Sequence, residues 1–275
     1  MNDSNGNGRV ALITGASSGI GAATALRLAN EGFKVLLTAR RQSHLEKIVN
    51  TIQSRGGVSA YIAADLTDET ERLKVYDDAR SIFGVVDILI NNAGLGWYGF
   101  GEEMLWPLAH QMIEVNISAV TQLTLLFLSD MKKRKRGHII NIGSIVGSLP
   151  SQGVALYSAT KSFVDALTTS LYRELQGTNV RISVVRAGAV ATPFYETALE
   201  KPKGMRIPVE RLSIKPELVA DRIWKLIQKP TRIAYVPRWL GFIPWLELCL
   251  GWMIDRLGPV MLRHQRNRLS QKSQD

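Results

Sequence analysis

Tyr157 and Lys161 stand four residues apart, so a helix there puts both on one face. A phenol is a poor base near neutral pH because its pKa is about 10. An ammonium one turn away favours the phenolate and lowers that value. Such a pair can pass a proton to or from a reacting oxygen. Ser144 adds a hydroxyl able to hold an oxygen on which charge develops. Asn116 can anchor a water that carries protons to and from Lys161. Taken singly, each residue also has a plainer reading: a surface Tyr–Lys pair, a helix N-cap, a helix break.

A second set lies near the start. Thr14 closes an apolar run, and Gly15, Ser17, Ser18, Gly19, Ile20 and Gly21 follow in a T-G-x-x-x-G-x-G turn that opens a helical stretch. Glycines let the backbone approach a pyrophosphate, and a helix N-terminus offers unpaired N–H groups to it. The next apolar run ends at Ala39, where an acidic residue usually holds a free ribose 2′-hydroxyl. Arg40 and Arg41 follow instead, and a guanidinium fork matches a 2′-phosphate in shape and charge. NADP is therefore expected over NAD. The alternative is that both arginines simply open the next helix in solvent.

The elements that must position these residues read from the apolar pattern. Short buried runs at 10–14, 34–38, 58–63, 86–91, 138–143 and 180–186 predict strands, with a last one at 232–236. Helical stretches lie between them at 19–31, 43–54, 68–83, 106–133 (broken near Asn116), 155–176 and 216–228. Near-continuous apolar strands alternating with helices predict a single α/β domain. Its sheet is a doubly wound, Rossmann-type parallel sheet with helices on both faces. Residues 1–8 read as a disordered N-terminus, 9–236 as the domain, and 237–275 as an apolar and basic helical C-terminal tail.

The set resembles the short-chain dehydrogenase/reductase family in its classical subclass. The resemblance rests on the glycine turn, Asn91-Asn92-Ala93-Gly94, Asn116, Ser144 and the Y-x-x-x-K of Tyr157 and Lys161, in that order, and covers residues 9–192. It implies an NADP(H)-dependent oxidoreductase with Tyr157 as general acid/base. Lys161 would lower the phenol pKa and bind the nicotinamide ribose, Ser144 would polarise the substrate carbonyl, and Asn116 would hold the relay water. Asp65 and Leu66 would flank the adenine, while Asn92, Ala93 and Gly94 would line the cofactor cleft. Gly188, Val190 and Thr192 would meet the carboxamide. One departure is Ala187-Gly188 where the family usually has Pro-Gly; it removes no donor and no charge. The resemblance also implies a homo-oligomer, dimer or tetramer.

Trp97, Val146 and Leu149, with Ser144 and Tyr157, are expected to border the substrate. Such a lining suits a lipophilic ketone, aldehyde or alcohol. Residues 193–215 are expected to form a lid. Tyr235-Val236-Pro237-Arg238-Trp239 replaces the Gly-Gly turn of many ketoreductases that act on acyl carrier proteins, which puts that substrate in doubt.

The net charge is +10, but the densest run, 132–136, closes an apolar helix and carries no interleaved aromatics. No nucleic-acid partner and no metal are expected. Cys249 stands alone, so no intrachain disulfide can form, and no apolar leader opens the chain; a cytoplasmic protein is expected. Residues 239–268 combine three tryptophans with a basic end, too short and interrupted to span a bilayer. Peripheral membrane contact and packing on the enzyme are both open for them. Two other functions compete. A non-catalytic NADP-binding sensor or scaffold would be expected to have lost one of the four catalytic residues. A sugar-nucleotide epimerase would carry a different glycine spacing and a longer substrate domain.

Overall fold

The computed structural model describes Gly6 and residues 8–199, 213–253 and 255–256. Seven strands are joined by helices: β1 (Val10–Thr14), α1 (Gly19–Asn30), β2 (Lys34–Ala39), α2 (Gln42–Gln53), β3 (Ser59–Ala63), α3 (Glu69–Phe83) and β4 (Ile88–Asn91). Then come α4 (Trp106–Ile113), α5 (Val120–Arg134), β5 (Gly137–Ser144), α6 (Ala155–Glu174), β6 (Val180–Ala187), α7 (Phe194–Leu199), α8 (Pro216–Gln228) and β7 (Ile233–Val236). The strand order is β3-β2-β1-β4-β5-β6-β7, all parallel. This is the expected doubly wound sheet.

Alternation along each strand sends successive side chains to opposite faces. Ala11 and Ile13 of β1 join α1, α2 and α8 in one core through Leu28, Leu45 and Ile223. Leu12 of the same strand joins α3, α5 and α6 in the other through Val75, Phe127 and Leu171. Both faces are thus covered, which explains strands with no polar alternation. The order reverses between β1 and β4, and a crevice opens beyond their carboxyl ends.

The break expected near Asn116 is a π-helical turn, Glu114–Ala119, between α4 and α5. The basic run does close α5, and Lys135, at φ 56°, takes the left-handed stop position. Arg134 donates to Val86 O at 2.8 Å, and Arg134 and Arg136 pair with Asp87 at 3.6 and 3.8 Å. Asp87 also accepts from Val10 N at 3.0 Å, so these cations brace the sheet's amino edge. The expectation of disorder through residue 8 needs correction at Gly6 and Gly8. Gly6 N donates to Glu31 O at 2.6 Å and Gly8 N to Gly32 O at 3.1 Å. A Cβ at Gly6 would lie 2.4 Å from Phe33 N, so only glycine fits there.

Candidate active site

The glycine turn sits on the carboxyl end of β1. Gly15 has φ 62°, and a Cβ on it would stand 2.7 Å from Ala93 Cα. The β4 loop therefore closes directly on the turn. Thr14 fastens the two: its Oγ1 accepts from Asn92 N at 3.0 Å and Ala93 N at 2.9 Å. Asn92 returns the contact, donating Nδ2 to Thr14 O at 2.9 Å and Gly15 O at 3.1 Å. Gly21 does not line the crevice. It lets α1 lie against the turn, where a Cβ would meet Gly15 O at 2.5 Å.

Arg41 Nη2 donates to Ser17 Oγ at 3.0 Å and Ser18 Oγ at 2.8 Å, tying the end of β2 to the turn. Arg40 reaches Asp65 at 3.8 Å across the crevice's outer end. Asp65 caps its own loop, its Oδ1 accepting from Thr67 N at 3.0 Å and Thr67 Oγ1 at 2.9 Å. Arg72, buried in α3, holds this loop to the π-helical turn. It donates to Leu66 O at 2.9 Å and pairs with Glu114 at 3.0 Å.

The crevice has a volume of about 780 Å³. Its walls carry Gly15, Ser17, Ser18, Gly19, Ile20, Arg40, Arg41, Asp65, Leu66, Asn92, Ala93 and Gly94 at one end, and Gly188, Val190 and Thr192 along one side. Ser144, Val146, Tyr157 and Lys161 line the inner end. A backbone cradle with no room for Cβ atoms, flanked by two guanidiniums, fits an extended dinucleotide whose phosphates meet the turn.

Ser144 stands beside Tyr157 on the inner wall, close enough for its hydroxyl to favour the phenolate. Ser144 also caps the turn after β5, accepting from Val146 N at 3.4 Å, so the plainer reading of this serine is correct as well. Burial raises the Tyr157 phenol above its ordinary range, with Tyr195 adding to the rise and Ser144 opposing it. Lys161 Nζ lies 5.8 Å from the Tyr157 ring centroid and donates to Ile142 O at 2.9 Å. Burial brings its pKa down to about 8, and the Asp165 carboxylate resists that fall. The expected lowering of the phenol by Lys161 does not appear: burial governs the phenol, and the ammonium is turned to the carbonyl of Ile142.

Asn116 lies behind the crevice rather than on its wall. Its side-chain amide is fully engaged: Oδ1 accepts from Leu95 N at 2.8 Å, and Nδ2 donates to Leu95 O at 2.9 Å and Thr160 Oγ1 at 3.0 Å. It fixes the β4 loop to α6. The side chain has no hydrogen left for a water.

Two expected substrate contacts lie elsewhere. Trp97 is buried with Leu108 and Met112, and Leu149 is half-buried off the wall. An aromatic group stands over Tyr157 instead. Phe194 lies 5.7 Å from its ring and Tyr98 6.5 Å, with Tyr195 stacked on Tyr98 at 5.7 Å. Phe194 and Tyr195 belong to the stretch expected as a lid, of which residues 200–212 lie outside the described residues.

Also unforeseen is a buried ladder beneath the site. Asn91 Nδ2 donates to Asn141 Oδ1 at 2.8 Å and Thr124 Oγ1 at 3.0 Å, and Asn141 Nδ2 to Thr168 Oγ1 at 2.9 Å. An asparagine in the middle of an apolar strand was the signal available for it.

Comparison with known proteins agrees with this geometry. The family model described as short chain dehydrogenase matches residues 9–203. An uncharacterized oxidoreductase of Staphylococcus saprophyticus is 38% identical over 81% of this chain and 91% of its own. An alcohol dehydrogenase of Thermococcus sibiricus, solved with 5-hydroxy-NADP, superposes with a TM-score of 0.73 at 31% identity, over 82% of this chain and 94% of that one. A short-chain dehydrogenase/reductase of Burkholderia phymatum, solved with NAD, gives 0.78 at 26% identity, over 86% and 92%.

Proposed function

The chain belongs to the short-chain dehydrogenase/reductase family, oxidoreductases acting on CH–OH groups with NAD(P), and from there we propose that it interconverts a lipophilic ketone or aldehyde and its alcohol with NADP(H). The observation that carries the reading is Ser144, Tyr157 and Lys161 together at the inner end of a crevice whose other end is the glycine cradle.

A bound nicotinamide would supply or accept the hydride at the carbonyl carbon. Tyr157 gives its hydroxyl proton to the carbonyl oxygen in reduction and takes it back in oxidation. Ser144 Oγ donates to the same oxygen as charge grows on it. Lys161 restores the proton on Tyr157, while Ser144 opposes the rise that burial imposes. Asn116 is a positioning residue, holding the Leu95 backbone against α6.

Preference for NADP rests on Arg41 and Arg40 beside Ser17 and Ser18, with Ala39 where a carboxylate would repel a phosphate. Lipophilicity rests on Tyr98, Phe194, Tyr195 and Val146 around the reacting end. The test is a panel of ketones and aldehydes graded in chain length and ring number, run with NADPH and NADH. Wild type is expected to favour NADPH and larger apolar substrates. Arg41→Ala should raise the KM for NADPH about tenfold while leaving NADH unchanged. Equal use of both cofactors by wild type would remove the NADP assignment.

A further inference from the structure

Residues 243–253 form a helix built inside out. Its only charged residue, Glu247, is partly covered, while its apolar side chains face solvent. Phe242, just before it, and Trp245, Leu248 and Trp252 within it are 66–77% exposed. A surface helix of a water-soluble domain does the reverse.

We propose that this helix is an interfacial anchor that lies in the surface of an anionic lipid bilayer. Among the described residues the helix does not bury itself on its own chain. In the turn leading into it, only Leu240 is buried, seated where a Cβ on Gly188 would come within 2.9 Å of its Cδ1. The helix is also not a span: Pro244, Glu247 and Asp255 interrupt a run shorter than the roughly 20 residues that crossing takes. The longer apolar helix Trp106–Arg134 is committed to the core, where Leu123, Phe127 and Met131 pack beneath the sheet.

Charge decides between lipid and a second copy. Arg238 precedes the helix, and Arg256, Arg263, Arg266, Arg268 and Lys272 follow it, against Glu247, Asp255 and Asp275. A two-fold contact would bring these excess cations face to face. An anionic headgroup layer neutralises them, and tryptophans at both ends of the segment suit the headgroup boundary. Leu240, in the turn that leads into the anchor, rests on Gly188 of the crevice wall, so the two are joined through that contact.

The test uses the full-length protein and flotation with vesicles of phosphatidylcholine alone or mixed with phosphatidylglycerol. Wild type should float with the mixed vesicles, more weakly with phosphatidylcholine, and its tryptophan emission should shift to the blue. The triple variant Trp245→Glu, Leu248→Glu, Trp252→Glu should float about tenfold less while binding NADPH normally. A chain ending at Phe242 gives the same reading should the triple variant fail to fold. Wild type that stays behind, or a variant or shortened chain that floats as well as wild type, overturns the proposal. A wild-type dimer broken by the triple variant, without flotation, would assign the helix to a second copy instead.

Discussion

Asp165 stands one turn beyond Lys161 on α6, and its carboxylate helps that ammonium keep a proton inside the fold. Tyr157, Lys161 and Asp165 therefore follow one another along one helix face. Burial raises the Asp165 carboxyl above its usual range, and Arg186 on β6, which pairs with it at 3.1 Å and donates to Tyr235 at 2.7 Å, opposes that rise and holds the carboxylate in place. The sign of the effect is fixed. Burial lowers Lys161 to about 8, Asp165 raises it, and so Asp165→Asn lowers it further. In the proposed reaction, carbonyl reduction consumes a proton delivered through Lys161, so the rate should fall as pH climbs through the lysine's value. The alkaline limb of the kcat profile should move to lower pH in Asp165→Asn. An unmoved limb in a folded variant would separate Asp165 from the reaction. Much of this residue scale was readable beforehand, because helical periodicity alone sets where Tyr157 and Lys161 lie. The direction of the lysine's charge was not, since it depends on the carbonyl of Ile142, which a strand across the crevice supplies.

At the scale of elements, the site is a junction of loop ends tied by buried polar groups. Thr14 serves two backbone N–H groups of the β4 loop with one hydroxyl. Thr14→Val keeps the shape and leaves both donors without that acceptor, at a cost of about 2–4 kcal/mol. Urea unfolding should register the loss, and the KM for the dinucleotide should rise with it. A change under about 0.5 kcal/mol would mean that the loop finds other partners. Strand and helix placement followed from apolar runs because a sheet covered on both faces leaves little else to do with them. Loop side chains did not follow. Trp97 turns inward because Gly99 has no side chain: a Cβ there would lie 2.4 Å from the indole. Phe194 turns over Tyr157 because Gly96 is equally bare, with 2.5 Å to the ring. Both choices depend on the path of the chain, which residue types alone do not encode.

The whole molecule joins an enzyme to the exposed apolar helix 243–253 through the turn at Leu240. Shortening the chain should therefore act in two steps. Ending it at Phe242 keeps Leu240 against Gly188, and turnover of a water-soluble ketone should be unchanged. Ending it at Val236 uncovers Gly188, and the KM for NADPH should rise. Equal activity of the two shortened chains would deny Leu240 its part in shaping the crevice. Above these stands the claim that a phenol in this crevice carries the reaction's proton. Tyr157→Phe tests it most directly, with NADPH binding followed by fluorescence and ketone reduction by absorbance. The account predicts binding as in wild type and turnover lower by at least about 100-fold. Reduction at the wild-type rate would contradict it.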